Sequence, residues 1–344
     1  MQTVLVTGGA GFIGSHTCKA LAAAGLKPVA FDNLSTGHAD LARFGPLVEG
    51  DILDGPAVDA AFAQHRPDAV IHFAALAYVG ASMREPLAYY RVNVAGLVNV
   101  VEAMLRHGVP SIVFSSSCAT YGIPERIPIV ESAPQRPISP YGRSKLAGEQ
   151  ILADAGAAEG FKVAMLRYFN AAGADPAGEL SERHDPETHL IPLAIDAAIG
   201  LGPPLQIFGT DYPTADGTCE RDFIHVSDLA AAHVAALRHL DEGAAAALTL
   251  NLGAGKAASV RSVVAAVERV TGAVVPLACR PPLRRSAGAG CGCLARAGND
   301  RLCASLLRPR HHRRHRLEGS TTGRQEVEPP IPDGSKLGGA CRPS

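Results

Sequence analysis

Thr7-Gly8-Gly9-Ala10-Gly11-Phe12-Ile13-Gly14 decides the fold: residues 3–7 read as an apolar strand, residues 12–25 as a helix, and Gly8, Gly11 and Gly14 stand at the turn between them. That spacing suits a backbone that turns tightly, approaches a pyrophosphate closely and offers helix N-terminal N–H groups to it, with Phe12 and Ile13 opening the helix. A second strand over 28–32 ends in Asp32, about 20 residues beyond the loop, where an acidic side chain accepts hydrogen bonds from ribose hydroxyls and repels a 2′-phosphate. The expected cofactor is therefore NAD rather than NADP. Asn33, beside Asp32, and Asp51-Ile52, after the third strand, are expected at the adenosine end, although an acidic residue closing a strand also serves as a helix cap.

Outward from this turn, strand-like runs at 47–50, 69–73, 111–116 and 162–169 alternate with amphipathic segments at 56–64, 87–107 and 141–155. Such alternation predicts an α/β fold, a doubly wound parallel Rossmann-type sheet covered by helices. After about residue 171 the pattern breaks into a Gly/Pro-richer stretch with a helix at 190–199 and a loop at 209–221. It resumes with a helix at 227–240, a strand at 248–252 and a helix at 259–270. The expected organisation is a cofactor domain over 1–170, rejoined by 224–252, and a smaller interleaved substrate-binding region over 171–277.

Ser115-Ser116-Ser117 follows the apolar run Ile112-Val113-Phe114, placing these hydroxyls at a strand's C-terminal end, the edge where ligands of open α/β sheets gather. Tyr141 opens the helix after Pro140 and Lys145 lies four residues on. Residues i and i+4 share a helix face, so the Lys145 ammonium is expected beside the Tyr141 phenol, favouring its ionised form and making it a usable base.

These motifs, together with His72-Phe73-Ala74-Ala75, Asn93-Val94-Ala95-Gly96 and Arg167-Tyr168-Phe169-Asn170, resemble the extended short-chain dehydrogenase/reductase family over residues 1–277. Residues 209–226, Gly-Thr-Asp-Tyr-Pro-Thr-Ala-Asp-Gly-Thr-Cys-Glu-Arg-Asp-Phe-Ile-His-Val, resemble the branch that epimerises nucleotide sugars at C4. The resemblance implies an isomerase that interconverts UDP-glucose and UDP-galactose through NAD-dependent oxidation at C4, rotation of a 4-keto sugar and hydride return. In it Tyr141 is the base, Ser117 bonds the reacting hydroxyl and Lys145 holds the nicotinamide ribose. Phe73, Ala74 and Tyr168 join the cofactor site, and Asn170, His189, Leu190 and Arg221, with Phe208 nearby, grip the UDP-sugar. A homodimer through the helices at 87–107 and 141–155 is also implied. A 4,6-dehydratase of this family carries an added Asp-Glu acid–base pair after the Ser117 position; here Cys118 and Ala119 stand there and cannot transfer that proton. A UDP-N-acetylglucosamine 4-epimerase, a decarboxylase and a non-catalytic NAD-binding relative stay open.

With 47% hydrophobic and 19% charged residues, the 344-residue chain reads as a globular protein with no stretch long and apolar enough to span a membrane. A cytoplasmic enzyme without membrane, nucleic-acid or metal partners is expected. The net charge of −1 hides an asymmetry: residues 278–344 hold 13 Lys/Arg against 5 Asp/Glu, the other 277 residues 19 against 28. Five of the eight cysteines also fall in that tail, which the family resemblance does not reach. The tail is expected to be disordered or the product of a reading-frame change. Synonymous codons for residues 308–319 exist that, read one nucleotide later, encode Asp-Leu-Asp-Thr-Ile-Val-Ala-Thr-Ala-Trp-Lys, similar to the family's terminal helix. Such a change would leave the chain catalytically impaired.

Overall fold

A computed structural model describes residues 2–243 and 246–280. In chain order, β1 (Thr3–Thr7), α1 (Phe12–Ala23), β2 (Lys27–Asp32), β3 (Leu47–Glu49), α2 (Gly55–His65) and β4 (Ala69–His72) form the first half. Next come α3 (Val79–Arg84), α4 (Pro86–Tyr90), α5 (Gly96–His107), β5 (Ser111–Ser117), α6 (Pro140–Glu159) and β6 (Lys162–Tyr168). The remainder is β7 (Asn170–Ala172), α7 (Leu190–Ala198), β8 (Leu205–Phe208), β9 (Glu220–His225), α8 (Val226–Asp241), β10 (Ala247–Leu252), β11 (Ala257–Ser259), α9 (Val260–Thr271) and β12 (Leu277–Arg280).

Seven strands pair in parallel in the order β10-β6-β5-β4-β1-β2-β3, so the expected doubly wound α/β sheet is present. Side chains alternate across a strand, and both faces are covered, which is why these strands read as continuous apolar runs. Val4 and Val6 of β1 pack with Cys18 and Leu21 of α1 and with Leu229 and Leu237 of α8. Leu5 faces the opposite layer with Phe62 of α2, Val100 and Met104 of α5 and Leu152 of α6. The winding reverses between β1 and β4, and a crevice at the carboxyl ends of these strands is where such sheets bind ligands.

Two expectations need correction. The helix over 87–107 is α4 and α5 joined by a π-helical turn at Arg91–Ala95. The turn brings Asn93 inward, where its amide exchanges hydrogen bonds with the Leu76 backbone and donates to Ser144 Oγ at 3.0 Å. The loop over 209–221 runs directly into β9, which pairs with β7 and β11 in a separate three-stranded sheet. β9 mixes charged and apolar residues, and β7, β8 and β11 are only three or four residues long, so periodicity was too short to reveal them. Expectations for the tail fall, from residue 281 onward, outside the described residues.

Candidate active site

The glycine turn is built for close approach. Gly8 has a left-handed φ of +71°, and a Cβ there would meet Ala74 N at 2.7 Å; a Cβ on Gly14 would lie 2.0 Å from Gly8 O. Thr7 O accepts from the N–H groups of both Phe73 and Ala74, at 2.9 and 3.1 Å, fastening the exit of β4 to that of β1. Helix α1 starts at Gly11 with no side-chain cap and no acidic residue in its first turn, leaving its positive end open to an anion.

Asp32 closes β2, with Oδ2 accepting from Ala10 N–H at 3.0 Å and Oδ1 from Leu34 N–H at 2.9 Å. Burial raises its pKa, against the pull of those two bonds. A carboxylate has about four acceptor sites, so two stay open for ribose hydroxyls. Asn33 donates to Asp51 Oδ2 at 3.0 Å and Leu53 N–H to Asp51 Oδ1 at 2.8 Å. Helix α2 is capped by Asp54 through Ala57 N–H, so Asp51 does not serve as that cap. Among the described residues, the only Lys or Arg side chains lining the cleft are Lys145 and Arg221, which come from α6 and β9. The donor set therefore fits NAD better than its 2′-phosphorylated form.

Across the crevice, Ser139 caps α6 by accepting from Gly142 N–H at 3.1 Å, and Pro140 occupies its first turn, where a missing N–H costs nothing. This start places Tyr141 and Lys145 on the buried side, next to Ser117 at the end of β5. Desolvation pushes the Tyr141 phenol up to about 12, opposed by its hydrogen bond with Ser117. Lys145 departs from expectation. Its Nζ donates to the Ser115 carbonyl at 2.8 Å and lies 5.0 Å from the centroid of the Phe114 ring. The ammonium is drawn to the strand's carbonyl. Burial lowers Lys145 itself to about 7, Glu149 pulling the other way.

A cleft of about 820 Å³ joins these two halves. All the proposed cofactor residues line it: Gly8, Gly11, Phe12, Ile13, Gly14, Asp32, Asn33, Asp51, Ile52, Phe73, Ala74, Lys145 and Tyr168. Ser117, Tyr141, Asn170, His189 and Arg221 line it as well. Leu190 and Phe208 do not: Leu190 packs on the small core of α7, α9 and β8, and Phe208 is 48% exposed at the end of β8. Asn170 Nδ2 donates to the Asp222 carbonyl at 2.9 Å, and Asp222 accepts from the N–H groups of Ala254 and Gly255. Arg221 Nη1 donates to the Glu220 carbonyl at 3.1 Å. Glu182, His184 and Tyr78 also line the cleft and were not anticipated. The alternating Glu182-x-His184-x-x-Glu187-x-His189 was the available signal.

A glycine turn at the switch point of a parallel sheet, facing a serine, a half-buried tyrosine and a buried lysine, defines a nicotinamide-dependent enzyme of the short-chain type. The model of the NAD dependent epimerase/dehydratase family matches residues 4–253, and the chain belongs to that family. It is 52% identical over 269 residues to a UDP-glucose 4-epimerase of Rhizobium meliloti, covering 78% of this chain and 82% of that relative. A crystal structure of UDP-glucose 4-epimerase from Brucella ovis in complex with NAD superposes with a TM-score of 0.83 at 50% identity, covering 89% of this chain and 92% of that one. That of the Bifidobacterium longum enzyme with NAD+ and UDP gives 0.82 at 36% identity, with the same coverages.

Proposed function

We infer that this chain interconverts UDP-glucose and UDP-galactose, with NAD as its cofactor. The carrying observation is that Ser117, Tyr141 and Lys145 line one cleft with the glycine turn, flanked by Cys118 and Ala119 rather than by a second acid–base pair. NAD, when bound, supplies the reversible hydride exchange at C4 of the sugar. The glycine turn, the open end of α1 and the Asp32 carboxylate hold it.

Ser117 accepts from Ala119 N–H at 3.1 Å, which leaves its O–H to donate to the sugar's 4-hydroxyl oxygen. Tyr141 Oη takes the hydroxyl proton as C4 is oxidised and returns it after the 4-keto sugar has turned its other face. Lys145, with one N–H held by Ser115 O, keeps its remaining donors for the nicotinamide ribose. Arg221 offers a planar fork suited to the diphosphate, with Asn170 and His189 beside it. A thiol and a methyl group beside Ser117 supply no acid to expel water, which favours epimerisation over dehydration.

The interleaved region over 171–277 is the proposed substrate side. A homodimer through the helices at 87–107 and 141–155 accounts for exposed Leu87, Tyr90 and Leu105 on α4 and α5. Cytoplasmic residence accords with the three cysteines Cys18, Cys118 and Cys219 lying scattered through residues 1–277 rather than spaced as a disulfide framework. Among the described residues no helix is long and apolar enough to cross a membrane. Purified chain with bound NAD is incubated with UDP-galactose: UDP-glucose is expected to form, and its absence overturns the reading.

A further inference from the structure

We propose that Glu182, His184, Glu187 and His189, at the lip of the cleft, bind a divalent transition-metal ion of the Zn2+ type. Their four ligand atoms lie within 4.8 Å of one another, with Glu182, His184 and Glu187 half-buried and His189 more open to solvent. Glu182 Oε1 lies 3.3 Å from His184 Nδ1 and 3.0 Å from His189 Nδ1. Glu187 reaches His189 Nδ1 at 2.8 Å and His184 Nδ1 at 3.6 Å. Four Zn–N and Zn–O bonds of about 2.0–2.1 Å at tetrahedral angles separate neighbouring ligand atoms by about 3.3 Å. The observed edges bracket that value, and contraction onto a central ion needs only small side-chain movements.

The donor set selects the metal class. Two imidazoles and two carboxylates suit Zn2+ and its neighbours, whereas Mg2+ and Ca2+ favour all-oxygen shells. Imidazole Nδ1 of His184 is buried and satisfies no hydrogen-bond geometry, although it faces two carboxylates. The two rings lie 4.7 Å apart, so both direct Nδ1 at the same pair of anions. Hydrogen bonds from the imidazoles engage the carboxylates pair by pair, whereas a central ion engages all four groups at once.

The site's position gives the ion a purpose. His184 packs edge-on against Phe12 of the glycine turn and against Tyr78, with centroids at 6.3 and 6.1 Å. His189 is the N-cap of α7. A bound ion ties residues 182–189 together at the point where the proposed substrate region meets the cofactor turn, and so fixes the shape of the lip. This inference does not depend on which sugar is epimerised.

Full-length protein stripped with a chelator is titrated with Zn2+ beside His184→Ala/His189→Ala and Glu187→Gln. Cysteines and histidines beyond residue 280 also take up Zn2+, so the readout is the difference between proteins. The double variant is expected to lose one equivalent. Glu187→Gln, which preserves shape, is expected to weaken that equivalent by about tenfold or more, since even groups behind metal ligands cost about 10- to 100-fold. Co2+ in place of Zn2+ should give a tetrahedral visible band that the double variant lacks. Equal stoichiometry, affinity and Co2+ spectra in wild type and Glu187→Gln overturn the proposal, as does wild type binding no ion. Should the double variant fail to fold by circular dichroism, Glu187→Gln alone decides.

Discussion

Lys145 Nζ donates to the Ser115 carbonyl at 2.8 Å, so the lysine is fastened to the strand that carries the serine run rather than to the tyrosine one helical turn away. Desolvation holds the Tyr141 phenol at about 12.

It follows that NAD binding, not the fold alone, makes Tyr141 a base. Tyrosinate absorbance is titrated in wild type minus Tyr141→Phe, with and without NAD. Adding the cofactor's positive ring should bring the phenol below its ordinary value of about 10. A titration that stays above that value with NAD bound contradicts the account.

Two buried histidines set an acid limit. Desolvation lowers His72 to about 3 and His233 to about 4, and both are essentially inaccessible. The unfolded chain protonates each near its ordinary value of about 6.5, whereas the folded chain does not, so stability falls as pH drops below that point. Each pH unit costs about 1.4 kcal/mol per ring until the folded value is reached. Urea unfolding between pH 7 and 5 should show His233→Leu losing less stability than wild type by that slope. Parallel slopes would exclude the role.

Arg167 and Glu149 form a buried two-pronged pair: Nε to Oε1 at 2.8 Å and Nη2 to Oε2 at 2.6 Å. Ser116, Gln135 and Tyr121 complete the network. Removing one partner strands a buried charge, so Arg167→Met should destabilise by about 3–5 kcal/mol in denaturant unfolding. A loss under about 1 kcal/mol would mean that solvent screens the pair.

The reading-frame proposal for the tail is tested on the gene. The matched segment covers 82% of the Rhizobium meliloti relative. Codons for residues 308–319 should read, one nucleotide later, as the terminal helix ending in tryptophan and lysine. Codons incompatible with that peptide refute the frame change, and the tail is then native sequence.

Much of this architecture was legible because both sheet faces are buried: β1, β4, β5 and β6 announce themselves as apolar runs, and Gly8, Gly11 and Gly14 mark the turn. The i, i+4 spacing of Tyr141 and Lys145 put them on one face but could not show where the ammonium points, which Ser115 O decides in three dimensions. β7, β8, β9 and β11 escaped because short strands with mixed charge carry no period. The π-turn at Arg91–Ala95 escaped because Asn93's partners, Leu76 and Ser144, are remote in sequence. The Glu182 to His189 cluster was visible as spacing, yet only folding shows that its four donors converge.

If Tyr141 moves the proton while other residues hold NAD, turnover and cofactor content separate in a Tyr141 variant. UDP-galactose turnover and bound NAD are measured together in wild type and Tyr141→Phe. The account predicts UDP-glucose formation by wild type and, in the variant, a kcat lower by about 100- to 10,000-fold at unchanged NAD content. Turnover by the variant at the wild-type rate, or a wild type that binds NAD and forms no UDP-glucose, would contradict it.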